Sequence, residues 1–283
     1  MDSIIYATDF SQNSVSALKM AYAFSQKLDV KLMVLHVFDM NLTIANPLSL
    51  THAKKEKEAF ARHGKALKEF CNTHLNLAQD EKNLRFEVKE HAIVKEGIHA
   101  AIKENSAGML VMGLKGKSML KEVFMGSNTK GMVDTSPCPV LAVPSSWEKY
   151  EMENILYATD FEEADIRSID WLVNSLAVPF GSSLHVFHVG TKNEYAGEDQ
   201  MQWFQEMLGQ KVTYDGITFE MTHSEDVFGT LLKQVNDTKA DVLVMLEREK
   251  EGFFTSLIQG DKVMQMISKG NVPLLTFNKN LFL

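Results

Sequence analysis

The sequence predicts an α/β protein built as two tandem open parallel sheets, each of five strands in the order 3-2-1-4-5, with helices on both faces. Three observations lead there. Short apolar runs alternate with stretches of helical periodicity, and connections of this length join parallel strands through right-handed crossovers. The chain also repeats itself. Ile5-Tyr6-Ala7-Thr8-Asp9-Phe10 recurs as Leu156-Tyr157-Ala158-Thr159-Asp160-Phe161, and Leu35-His36-Val37 as Phe187-His188-Val189. Ala107-Gly108-Met109-Leu110-Val111-Met112 returns as Ala240-Asp241-Val242-Leu243-Val244-Met245, and Cys138-Pro139-Val140-Leu141 as Val272-Pro273-Leu274-Leu275. Matches kept in one order mean two copies of one unit. Finally, the unbroken run from Met109 to Met112 is that of a strand buried on both faces, and it ends in a glycine.

In the first copy, strand one falls at about residues 3–7. A helix follows through Val15, Leu18, Ala21, Tyr22 and Leu28, and strand two lies at about 31–37. After a loop with Pro47 comes a long helix, roughly 51–74, whose Lys54, Lys55, Glu56, Lys57 and Glu58 read as a solvated face. Strand three, about 84–89, alternates apolar and charged residues as a half-covered strand does. A helix at about 94–105, strand four, a glycine-rich loop, a helix to about 133 and strand five at 140–143 complete the unit. A short polar connector leads to the second copy, giving domains at 1–145 and 153–283. The second copy has a shorter excursion after its second strand.

At 283 residues the chain has room for two ordinary domains of roughly 140 residues. Its 45% apolar and 23% charged residues are those of a globular protein in water. A formal net charge of −8, without a basic stripe, argues against nucleic acid. Cys71 and Cys138 lack metal or redox spacing and fit a reducing compartment. The N-terminus has no cationic segment before an apolar core, and no apolar run reaches the ~20 residues of a membrane helix. The expectation is a cytoplasmic protein that does not enter membranes.

The chemistry concentrates after strand four. Gly113 and Gly116 let backbone N–H groups approach a bound group that a Cβ would push away. Gly126 and Ser127 open a helix, where free N–H donors and the dipole favour an anion. Lys115, Lys117 and Lys121 lie between. The spacing G-x2-G-x9-G-S reads as a phosphate cradle. It is not a Walker A loop, which needs a glycine where Val111 stands, and it lacks the close glycine pair of a Rossmann fingerprint. Ligands of such sheets bind where the strand order reverses, between strands one and four. Thr8-Asp9 after strand one then faces the glycine loop. Asp9 suits a ribose diol; its alternative role is a helix N-cap. Val37 offers an apolar wall or backbone group to a base.

These residues resemble the universal stress protein family over essentially the whole chain. The resemblance rests on A-T-D-F-S at 7–11, L-H-V at 35–37, V-M-G-L-K-G at 111–116, G-S at 126–127 and P-C-P-V-L at 137–141. It implies an adenine nucleotide alpha-hydrolase-like fold and, in the ATP-binding branch, ATP with Mg²⁺ held mainly by phosphate oxygens and water. It implies Gly113, Gly116, Gly126, Ser127 and Asn128 around the triphosphate. Ala7, Thr8, Asp9, Val37 and Met112 fall near the ribose and adenine. Family members pair through the fifth strand, which implies an internal pseudo-dimer of the two copies; a homodimer of the whole chain stays open. The role implied is stress response or signalling.

The second copy departs from this pattern. Leu246 and Glu249 stand where Gly113 and Gly116 align, and Gly260-Asp261 replaces Gly126-Ser127. Side chains fill the space a phosphate needs, and Glu247, Glu249, Glu251 and Asp261 repel it. One nucleotide per chain, in the first copy, is expected. No residue reads as a catalytic base, so hydrolysis is at most slow. The competing functions are a genuine ATPase and a nucleotide-free scaffold or small-molecule binder. Other groupings read as structural. His185 and His188 point to opposite faces of a strand. His52, His63 and His74 read as surface residues of the long helix, and Cys138 as a small apolar residue in a core.

Overall fold

The computed structural model describes residues 1–40, 50–77, 81–114, 125–191, 197–247, 272–278 and 281. The first half runs β1 Ser3–Ala7, α1 Val15–Leu28, β2 Lys31–Phe38, α2 Leu50–His74, β3 Leu84–Glu90, α3 Val94–Asn105, β4 Met109–Gly113, α4 Ser127–Thr135 and β5 Val140–Val143. The second runs β6 Asn154–Ala158, α5 Glu163–Leu172, a π-helical turn at Val173–Ala177, a short α6 Val178–Phe180 and β7 Ser183–Gly190. It continues with α7 Gly197–Gly209, β8 Ile217–His223, α8 Val227–Asp237, β9 Val242–Glu247 and β10 Leu274–Asn278. Glu249, Gly260 and Asp261, like Gly116 and the lysines beside it, lie outside the described residues.

All ten strands form one sheet, ordered β3-β2-β1-β4-β5-β10-β9-β6-β7-β8. Each half has the expected 3-2-1-4-5 order. Within a half every pairing is parallel, as in Ala7 opposite Met112 on β1 and β4. The halves meet where β5 and β10 pair antiparallel, with Leu141 opposite Leu275. That reversal aims the carboxyl ends of the two sets of strands in opposite directions, so the two crevices lie at opposite edges of the sheet.

Strand alternation builds the core. On β1, Ile4 and Tyr6 face one layer while Ile5 and Ala7 face the other. The first layer takes in Leu18 and Phe24 of α1, Leu67 and Cys71 of α2, and Ile166 and Ile169 of α5. The second takes in Ile98 of α3, Met132 of α4 and Leu231 of α8. Both layers run through both halves, so the joint is covered on each face. Phe24 and Phe180 add a ring contact at 4.8 Å between α1 and α6. The connector is anchored as well: Lys149 Nζ lies 2.8 Å from the buried Asp241 carboxylate, which also accepts the N–H groups of Glu153 and Asn154.

Candidate functional site: the crevice between β1 and β4

The turn after β1 is held by bonds to its own chain. Thr8 N–H donates to Leu35 C=O at 3.0 Å, continuing the β1–β2 ladder one residue past the strand. The Thr8 hydroxyl accepts the Phe10 N–H at 3.0 Å and shares a bond with Ser14 Oγ at 3.1 Å. Asp9 Oδ1 accepts the Ser11 N–H at 3.0 Å, which closes a turn two residues long. Asp9 is therefore not the N-cap of α1; Ser14 holds that position. Phe10 takes a left-handed φ of 61°, which lays its ring 4.1 Å from His36. His36 Nδ1 donates to Thr8 C=O at 2.8 Å. Below, Tyr6 donates to Ser14 C=O, and burial pushes its phenol well above the usual range.

Opposite this turn, β4 ends at Gly113. A Cβ there would lie 3.0 Å from Asn13 O and 3.1 Å from Ser14 Cα. The sequence suggests that this glycine admits a ligand, but the space beside its Cα belongs to the protein's own β1–α1 turn. Thr129 Oγ1 donates to Gly113 C=O at 2.9 Å and Gly126 N–H to Leu114 C=O at 2.9 Å, which fixes the start of α4 beside β4. Gly126 is the N-cap and has no side chain to cap this end, and no acid stands in the first turn. The first N–H groups of a helix have no partner within it, and they carry its positive pole.

Between these elements lies a cavity of about 210 Å³. Ala7, Leu35, Val37, Val94, Ile98 and Met112 give it apolar walls. Thr8, Asp9, Ser14 and Gly113 form one polar side, and Gly126, Ser127, Asn128 and Thr129 the other. Nine of the ten residues singled out from sequence line this one space; the tenth, Gly116, lies outside the described residues. Leu35, Ser14, Val94, Ile98 and Thr129 were not singled out. Alternation along β2 pairs Leu35 with Val37, and the i, i+4 spacing of Val94 and Ile98 gives them one helix face, so those signals were present.

The second half keeps the frame and changes its contents. Ala158 stands opposite Met245 as Ala7 stands opposite Met112, so Leu246 occupies the station of Gly113. It is only 1% exposed and belongs to the core. His188 Nδ1 again donates to the preceding turn, at Thr159 C=O, and Phe161 again has a left-handed φ, of 59°. The station of Ser14 is taken by Asp165, which is fully buried. Its carboxylate accepts from the hydroxyls of Tyr157 and Thr159, each at 2.9 Å, and from the N–H groups of Asp160 and Glu162.

One histidine reading is corrected. His63 is half-buried rather than on the surface. Its ring stacks 4.2 Å from Phe38 and 5.1 Å from His36, and burial, with Arg62 nearby, lowers its pKa. His74 is also half-buried, edge-on to Phe70 at 4.8 Å. The long helix lies on β2, so its polar letters do not all face water. His185 bonds Thr218 and Glu220, away from His188, and no group of metal-ligating side chains occurs among the described residues. Cys138 is buried, and its thiol is pushed up to about 11. No described helix is long and apolar enough to cross a membrane.

The strand order and the crevice at the reversal between β1 and β4 are those of the open, doubly wound class of α/β folds, whose ligands bind at such a point. Residues 1–144 match the model of the universal stress protein family, and the chain belongs to that family. It is 29% identical to universal stress protein MJ0577 of Methanocaldococcus jannaschii over 150 residues, which is 50% of this chain and 93% of that one. Among solved structures, a universal stress protein of Archaeoglobus fulgidus superposes with a TM-score of 0.66 at 18% identity. The match covers 98% of this chain and 96% of that one. A functionally unknown protein of Pseudomonas aeruginosa gives 0.65 at 15% identity, over 99% and 94%. Both share the fold across both halves.

Proposed function

We propose that this universal stress protein binds one ATP, in the crevice of a first domain at 1–145, and serves a stress-response or signalling role in the cytoplasm. The observation that carries the reading is the start of α4 at Gly126, its first turn free of acidic residues, across an apolar-walled cavity from Asp9. A helix N-terminus suits phosphate oxygens, apolar walls suit a base, and a carboxylate suits a ribose diol. Gly113, Gly126, Ser127 and Asn128, with Gly116 by sequence, take the phosphates. Ala7, Thr8, Asp9, Val37 and Met112 take the nucleoside, and Mg²⁺ rests mainly on phosphate oxygens and water.

A second domain at 153–283 is the paired, non-binding partner in an internal pseudo-dimer. The buried Asp165, at the station of Ser14, supports that assignment by its charge. Asp9 is the one carboxylate lining the cavity among the described residues, so turnover is at most slow. Melting the protein with and without Mg-ATP tests the reading. At a hundredfold excess over Kd, a ligand of the folded state adds about 2.7 kcal/mol and raises the midpoint. An unchanged midpoint at millimolar Mg-ATP contradicts it.

A further inference from the structure

The two halves differ at a helix contact as well as in the sequence of their loops. Gly97 lies on α3 between Val94 and Ile98, two residues of the cavity wall. A Cβ on Gly97 would come 2.6 Å from Val37 Cγ1, 3.2 Å from Val37 Cγ2 and 3.1 Å from His91 Cβ. The first distance is far inside van der Waals contact. Val37 sits on a strand paired on both sides, and its branched side chain has little rotamer freedom. Glycine is also a poor residue for a helix interior. The close approach of α3 to β2 accounts for its presence there.

The second half gives the comparison. His91 N–H bonds Phe38 C=O at 2.9 Å, and Ser224 N–H bonds Gly190 C=O at 3.0 Å, so the two helices start in the same register. Counting on from there, Thr230 stands at the station of Gly97, with Val227 and Leu231 at those of Val94 and Ile98. Ile98 and Leu231 are alike at 2% and 1% exposed, whereas Val227 is 4% exposed and Val94 half-buried on an open cavity. α8 has a glycine too, but Gly229 stands one place before the station of Gly97 and meets Asp226 rather than a strand.

We propose that Gly97 is a positioning residue that sets the width of the apolar slot in the first half. It seats α3 against β2, so that Val37, Val94 and Ile98 form one wall, facing Met112, fitted to the flat face of a purine. The proposal rests on the nucleotide reading above and adds to it the residue that fits the slot to the base. A side chain at 97 forces Val37 to turn or α3 to lift, and each movement displaces a wall of the cavity.

The test is calorimetry with ATP and with CTP, whose base is smaller, on the full chain and its Gly97→Ala variant. The expected result is a loss of about tenfold in ATP affinity, with CTP affected less, so that the preference for ATP narrows. The ligand-free melting point stays within a few degrees of wild type. Unchanged ATP affinity in the variant overturns the proposal, as does an equal loss for both nucleotides or a wild type without preference. A wild type that binds no ATP overturns the nucleotide reading itself, a distinct outcome. If Gly97→Ala does not fold, Val37→Ile crowds the same contact from the strand side and must produce the same narrowing.

Discussion

Ser14 and Asp165 hold the same station in two copies of one loop. Tyr6 donates to the Ser14 carbonyl and Tyr157 to the Asp165 carboxylate, each eight residues on. Thr8 and Thr159 likewise meet the two side chains with their hydroxyls. A neutral hydroxyl thus underlies one crevice and a buried negative charge the other. The loop geometry is shared, and in the proposed reading the buried carboxylate disfavours a phosphate in the second half by on the order of a kcal/mol or more.

The charge at 165 also holds its loop together. Asp165→Ala leaves two hydroxyls and two N–H groups short of an acceptor and costs about 3 kcal/mol, read as a lower urea midpoint. Ser14→Ala removes only hydroxyl bonds and costs about 1 kcal/mol. Equal costs contradict the assignment of Asp165 as the centre of its turn.

At the start of α4, stability and binding move in opposite directions. Ser127→Asp places a negative charge at an uncapped helix N-terminus and stabilises the fold by about 0.5 kcal/mol. The same charge repels phosphate and lowers ATP affinity by roughly tenfold or more. A variant that loses both stability and affinity points instead to damaged packing.

Burial pushes the Cys71 thiol up to about 12 and the Cys138 thiol up to about 11. Their folded values lie above the ordinary value near 9, so the folded state keeps protons that the unfolded chain releases. The stabilisation is complete below about pH 9 and is lost as pH rises toward 11–12, by up to about 1.4 kcal/mol per pH unit for each thiol. Urea midpoints measured from pH 8 to 11 should fall. The fall should be shallower in Cys71→Ala, and both thiols should resist a thiol reagent until the chain unfolds.

His63 shows the opposite dependence. Its folded pKa lies below the ordinary 6.5, so the unfolded chain takes up a proton that the folded one refuses, and stability falls as pH drops below about 6.5. Titration of its ring signals by NMR should give a midpoint below that of a free histidine. A midpoint above 6.5 contradicts the stacked, neutral ring between Phe38 and His36.

The strands were legible because alternation and unbroken apolar runs are properties of sequence, and the repeat located the second half. Thr8, Asp9 and Gly126 were legible because strand ends and helix starts have few chemical solutions. Other features depend on distances between segments far apart in the chain. The fit of Gly113 against Asn13 and Ser14, the stacking of His63 on β2 and the approach of Gly97 to Val37 are of that kind. Asp165 was hidden for another reason. It reads as an ordinary acid in the first turn of a helix, and only the hydrogen bonds of the folded loop reveal its four donors.

Titration calorimetry of the full chain with Mg-ATP tests the central claim most directly, because it counts sites. One nucleotide per chain, with affinity lowered roughly tenfold or more in Ser127→Asp and unchanged in Leu246→Ala, is the predicted result. Two equivalent sites, or a single site whose affinity is unchanged in Ser127→Asp, would contradict it.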